Sequence, residues 1–141
     1  MKTIYYLLIL LLVKLSYAQV AVIGNPSLTK DKINKIELLD CYTGDIKKLD
    51  ENQKIYVFDL KPNTKTKEIF YKFLGKSPSR MKTIWMKKML SGDGDPPPSL
   101  ESEEEMLEKV EKTKGAIGFV RYSLVSPKVK VLTIIEEDKQ E

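Results

Sequence analysis

Beyond the first eighteen residues, apolar and polar positions change period several times along the chain. Gln19 to Ile23 (QVAVI) is a short β-branched apolar run closed by Gly24-Asn25-Pro26, the pattern of a strand entering a turn. Ile33, Ile36 and Leu39 then recur at helical spacing behind Thr29, which suits an N-cap, and Tyr42-Thr43-Gly44-Asp45 ends that helix. Lys54 to Leu60 (KIYVFDL) reads as a second strand, apolar enough to be buried on both faces, as parallel strands are. Asn63-Thr64-Lys65-Thr66 makes the next turn, and Ile69, Phe70, Phe73 and Leu74 form a helical stripe that Gly75 terminates. Ser77-Pro78 restarts a helix with a cap and a proline at its first position. Met81, Ile84, Trp85, Lys88 and Met89 share one face of it, and Ser91-Gly92 closes it.

Asp93 to Pro98 (DGDPPP) is neither helix nor central strand, because three prolines remove donors and fix the backbone. It reads as a loop within one domain. Ser102-x-x-Glu105 is a capping box, with Glu103, Glu104 and Glu105 where the helix dipole favours anions. Met106, Leu107 and Val110 form its buried stripe, Gly115 stops it, and Ala116 to Val120 and Val129 to Ile135 are the last strands. Strands separated by helical segments favour a sheet with helices packed on it, an α/β domain over residues 19–135. Residues 136–141 are expected to be a frayed, charged tail.

The first eighteen residues have a different character. Met1-Lys2 is a short positive end, Ile4 to Val13 an unbroken apolar run of ten, and Ser16-Tyr17-Ala18 places small residues before a cut at Gln19. At about 1.5 Å per residue the run spans only about half a bilayer, so a cleaved secretory signal is expected rather than an anchor. The remaining 123 residues are one ordinary domain by size. Net charge falls from +4 to +2, since Lys2 and Lys14 leave with no acid. The other lysines are interspersed with Asp and Glu, which argues against a nucleic-acid partner.

Cys41 is the sole cysteine, so no internal disulfide staples the domain, and a lone thiol of this kind is expected to be buried. The chain has no histidine, which removes Ser-His-Asp and Cys-His nucleophile systems and the usual zinc sites. No motif suggests catalysis by carboxylates alone. The expectation is a non-enzyme without cofactor or metal.

The segment Asn63-Thr64-Lys65-Thr66-Lys67 carries the candidate chemistry, since a helix N-terminus offers unpaired N–H groups and a positive dipole end to an oxyanion. Thr64 and Thr66 add hydroxyl donors, and Lys65 and Lys67 add charge. The plainer reading is a capping threonine with solvated lysines. Trp85 reads as core, Gly118 as a point of close backbone packing, and Glu103 to Glu105 as a solvated helix start rather than a metal site.

From Val20 to about Val120 the chain resembles the substrate-binding proteins of phosphate ABC transporters, in particular their short, single-lobe relatives. The resemblance starts with Val20-Ala-Val-Ile-Gly-Asn-Pro26 and a helix ending Glu37-Leu-Leu-Asp-Cys-Tyr-Thr-Gly44, where the family has Ile-Phe-x-Gly. It continues with Thr64-Lys65-Thr66-Lys67-x-x-Phe70, against a family pattern Ser-Gly-Thr-Arg-x-x-Phe whose first three residues bind phosphate. Leu74-Gly-Lys-Ser77, Trp85, Gly94 to Pro97 and Gly115-Ala-Ile-Gly-Phe119 complete it. Lys65 stands where the family has glycine, Lys67 where it has arginine, and Asp59-Leu60-Lys61 where it carries a further arginine.

The resemblance implies one lobe of a periplasmic-binding-protein type II-like fold, with a mostly parallel sheet flanked by helices. It implies an exported binding protein for a small oxyanion, phosphate first, held by Thr64, Lys65, Thr66 and Lys67, with Asn63, Asn25 and Lys61 as neighbours. An ABC transporter permease would be the partner, and the periplasm the location, or the exterior where a cell has no outer membrane. A homodimer rebuilding a two-lobed cleft stays open. The alternative is an envelope interaction module that keeps the fold without the ligand.

Overall fold

The computed structural model describes residues 18–137. Residues 1–17 of the expected signal peptide and residues 138–141 of the expected tail lie outside the described residues. Along the chain come β1 (Gln19–Gly24), α1 (Lys35–Thr43), β2 (Tyr56–Val57), β3 (Asp59–Leu60), α2 (Lys65–Leu74) and α3 (Pro78–Ser91). They are followed by β4 (Ser99–Leu100), α4 (Glu103–Lys112), β5 (Ala116–Arg121), a short 3-10 turn (Tyr122–Leu124) and β6 (Lys130–Glu136).

β1 is the centre of the domain because its apolar run leaves no face for water: Val20 to Ile23 are all buried. The four-stranded sheet runs β2-β5-β1-β6, and a two-stranded piece pairs β3 with β4. The α/β lobe is as expected, but the sheet is mixed rather than mostly parallel. β1 is antiparallel to both β5 and β6, and among the described residues only the short β2–β5 and β3–β4 pairs are parallel. The reason lies in the connections. β5 and β6 flank β1 and both run against it, so they are parallel to each other. The stretch between them (residues 122–129) carries the chain from one side of β1 to the other without an α-helix.

Strand periodicity then sorts the helices onto two faces. Phe119 of β5 stacks on Phe70 of α2, with ring centroids 3.8 Å apart and planes 6° from parallel. The preceding residue, Gly118, faces the other way, where a β-carbon would fall 2.4 Å from Met106 Sδ and 3.0 Å from Val110 Cγ2 of α4. Gly118 is therefore a point of close packing as expected, although what approaches it is the side chains of α4 rather than backbone. Tyr42 of α1 meets Phe70 edge-on at 4.8 Å, and its hydroxyl donates to the Phe58 carbonyl at 2.7 Å. Trp85 of α3 is buried and donates its indole N–H to the Tyr42 carbonyl at 3.0 Å, a core role.

Four local expectations change. α1 is capped by Asn34, whose side chain accepts from Glu37 N, while Thr29 binds Asp50 and Gln53 of a later loop; Ile36 is 73% exposed. The expected strand 54–60 splits because the backbone changes partner: Phe58 N donates to Ile117 of β5, and Asp59 N donates to Pro98 beside β4. β4 follows three prolines and is two residues long, too short for any period to register. β6 includes Glu136, and Glu137 forms an ion pair with Lys65, so the chain stays anchored one to two residues past the expected boundary.

Candidate functional site

Two elements bring the candidate residues to one end of the sheet. α2 begins there because Thr64, in an extended conformation, caps it by accepting from Lys67 N at 3.2 Å. Asn63 before it takes a positive φ of 75°, which aims the chain into the helix. α4 begins at the same end with Ser102 as cap, its hydroxyl accepting from Glu105 N at 3.1 Å. The reciprocal arm of the capping box goes elsewhere: Glu105 accepts from Glu101 N.

Between the two helix starts lies a buried carboxylate. Thr66 is buried and donates its hydroxyl to Glu103 Oε1 at 2.8 Å. The same oxygen accepts from Arg121 N at 2.7 Å, and Oε2 accepts from the Arg121 guanidinium at 2.8 and 3.3 Å. Burial alone would raise the Glu103 pKa; the Arg121 backbone N–H and guanidinium and the Thr66 hydroxyl outweigh it and hold the carboxyl below its ordinary value. Glu103 was expected to be a solvated helix start. It is instead the hub of this end of the molecule.

Lys67 points into a second buried cluster. Its ammonium donates to the Leu60 carbonyl at 2.7 Å and lies 3.4 Å from Asp59 Oδ2, over the ring of Tyr71 at 4.9 Å. Asp59 also accepts from the Tyr71 hydroxyl and, through Oδ1, from Leu60 N at 2.8 Å. Burial, and then the Asp59 charge, push the Tyr71 phenol above its ordinary pKa. Lys65 is exposed and pairs with Glu137 at 2.5 Å, and Lys61 pairs with Glu101.

Every cation among the candidates at this end thus has a carboxylate partner: Lys61 with Glu101, Lys65 with Glu137, Lys67 with Asp59. Arg121, the added guanidinium, has Glu103. A new anion there would meet Glu103 and Arg121 as a pair whose charges largely cancel, so it would find no free cation and no vacant threonine hydroxyl proton. Two donors stay free, for the backbone N–H groups of Lys65 and Thr66 have no hydrogen-bond partner among the described residues. Beside them a groove of about 530 Å³ runs along α2, lined in part by Asn63, Thr64, Lys67, Tyr71 and Lys72.

Asn25 stands apart from this arrangement. Its amide donates to the Val110 and Glu111 carbonyls at 2.8 and 2.9 Å, its oxygen accepts from Ser27 N, and its own N–H bonds Ala116 at the start of β5. Arg121 closes the far end of that strand, so Asn25 and the Thr66–Glu103 pair are roughly 17 Å apart along β5 at about 3.3 Å per residue.

Sequence reasoning passed over Asp59, Glu103 and Arg121 as site residues. Their one sequence signal was weak: Glu103 is the residue after a capping serine, where an acid is expected for dipole reasons alone. Cys41 is buried, and burial, then Glu37 and Asp40, push its thiol up to about 12. Among the described residues no three acidic, cysteine or histidine side chains gather as a metal site would require.

No family model matches the chain, and no curated protein does. Solved structures do match. A putative phosphate ABC transporter substrate-binding protein with bound phosphate from Clostridium perfringens aligns with a TM-score of 0.68 at 18% identity, over 82% of this chain and 44% of that one. An ABC-type phosphate transport receptor from Vibrio cholerae aligns at 0.65 and 19%, over 82% and 46%. PstS from Borrelia burgdorferi aligns at 0.61 and 14%, over 83% and 48%. The chain therefore has the fold of part of a phosphate-binding receptor and spans less than half the length of each.

Proposed function

We propose that this chain is an exported, non-catalytic interaction module with part of a phosphate receptor's fold, in which Glu103 fills the position an oxyanion would take. The observation that carries this reading is the Thr66–Glu103 hydrogen bond of 2.8 Å, with both Glu103 oxygens already satisfied by Arg121. A threonine hydroxyl has one proton to give, and here it goes to an internal carboxylate. The paired lysines add to this, since an incoming anion would find their charge cancelled. The matching solved structures are described as receptors and binding proteins, which fits a role in binding rather than catalysis. Export rests on the N-terminal eighteen residues, with the periplasm as the destination where there is one.

A second reading keeps oxyanion binding, phosphate first, with a link to ABC-type uptake. Two observations favour it: the unpartnered N–H groups of Lys65 and Thr66, and the groove beside Asn63, Thr64 and Lys67. Titration of the chain beginning at Gln19 with phosphate by calorimetry separates the two. The module reading expects no heat at millimolar phosphate. A saturable isotherm would replace it with the oxyanion reading.

A further inference from the structure

The outward side of α3 combines exposed apolar groups with charge of one sign. Met81 and Trp85 turn inward and are buried. On the opposite side Met86 and Leu90 lie one turn apart and are 49% and 84% exposed, while Met89, 47% exposed, lies on the flank between them and Trp85. Lys82, one turn before Met86, and Arg80 and Lys87 along the border are exposed as well. None of these three cations has an ion-pair partner among the described residues, whereas Lys88, turned back toward the domain, pairs with Asp45 at 2.6 Å. α3 contains no acid from Pro78 to Ser91; the first acidic residue, Asp93, lies past the capping Gly92.

This contrasts with the end of the sheet, where Lys61, Lys65, Lys67 and Arg121 each have a carboxylate partner. A row of unmatched cations is complementary to an anionic surface. A pair of apolar side chains on the outer side of a helix reaches only a shallow depth, which suits a soft layer that lets them in and lets the long cationic stems spread at its boundary. We propose that the outward face of α3 docks the domain onto an anionic phospholipid surface, with Met86 and Leu90 entering the headgroup boundary, Met89 at its edge, and Arg80, Lys82 and Lys87 meeting the phosphates. The contact is peripheral: among the described residues no helix is long and apolar enough to cross a membrane.

The test is flotation of the chain beginning at Gln19, which keeps every described element, with phosphatidylcholine vesicles and with phosphatidylcholine–phosphatidylglycerol vesicles. The chain is expected to float with the mixed vesicles, to be released by salt, and to stay behind with phosphatidylcholine alone. Met86→Glu with Leu90→Glu, and separately Lys82→Glu with Lys87→Glu, should each weaken binding by at least about tenfold. Lys114→Glu, a charge reversal of equal sign on an exposed residue of another loop, should leave it within about twofold. The proposal is overturned if the wild-type chain fails to float with the mixed vesicles, or floats equally with neutral ones. It is also overturned if the apolar pair of substitutions leaves binding unchanged, which would reduce the effect to net charge. Should the glutamate pair fail to fold, Met86→Ser with Leu90→Ser takes its place, and unchanged binding by that folded pair likewise overturns the proposal.

Discussion

The hydroxyl of Thr66 donates to the carboxylate of Glu103 across 2.8 Å, joining the first turn of α2 to the first turn of α4. Two helix starts that each favour an anion share one, and Arg121 holds it in place from the end of β5. This single carboxylate links stability to the question of what the site can bind.

Its protonation should be visible in stability. The folded-state pKa of Glu103 is held down, so its contribution is present above the unfolded carboxyl value of about 4.3 and is lost as pH falls through the folded value. Urea unfolding of the wild-type chain should show stability falling below that pH. Glu103→Gln should be less stable at neutral pH by about 2 kcal/mol and lose part of the acid dependence. An unchanged acid limb in the variant would detach Glu103 from it.

The core should fail at the aromatic stack. Phe70 and Phe119 are fully buried and each carries one helix–sheet contact of the face opposite α4. Phe119→Ala should cost about 3–5 kcal/mol. Phe119→Leu, which fills most of the space, should cost clearly less in the same denaturation experiment.

Gly115 is the glycine least able to change. Its φ is +76°, and a β-carbon there would sit 2.2 Å from the Lys54 carbonyl oxygen, a backbone atom with no rotamer to move. Gly115→Ala should destabilise by at least about 2 kcal/mol. Gly92→Ala, with a similar φ and open space around it, should cost less. Melting temperatures of the two variants rank them.

Cys41 should be silent in the native state. It is buried, and its thiol, pushed up to about 12, carries no appreciable thiolate at neutral pH. A chromogenic thiol reagent should react at the rate of global unfolding and at full speed in denaturant. Rapid native labelling would show that α1 opens locally.

The elements that survived from sequence to structure are those with both a period and punctuation. α2 and α3 have a capping residue, an apolar stripe and a terminating glycine, and their bounds match the reading closely. The buried run of β1 also announced itself. What stayed hidden depends on partners distant in sequence. Phe58 ends one strand and starts another because Ile117 and Pro98 offer carbonyls on different sides. The antiparallel neighbours of β1 follow from how β5 and β6 are connected, not from the composition of β1. At the site, Thr64 and Thr66 were recognisable as helix-start donors, but Thr66 spends its proton on a residue 37 positions away. Asn25, which the resemblance groups with the site residues, lies at the other end of the sheet because it follows β1 and binds Ala116 at the start of β5, whereas the site lies at the end of β5.

The most direct test of the account is phosphate titration of the Glu103→Ala variant beside the wild-type chain. Removing the carboxylate frees the Thr66 hydroxyl and the Arg121 guanidinium, so a donor and an unmatched positive charge become available to an anion. With far-ultraviolet circular dichroism showing that the variant stays folded, the account predicts no measurable binding by the wild type and saturable binding by the variant. Tight binding by the wild type, or none by a folded variant, would contradict it.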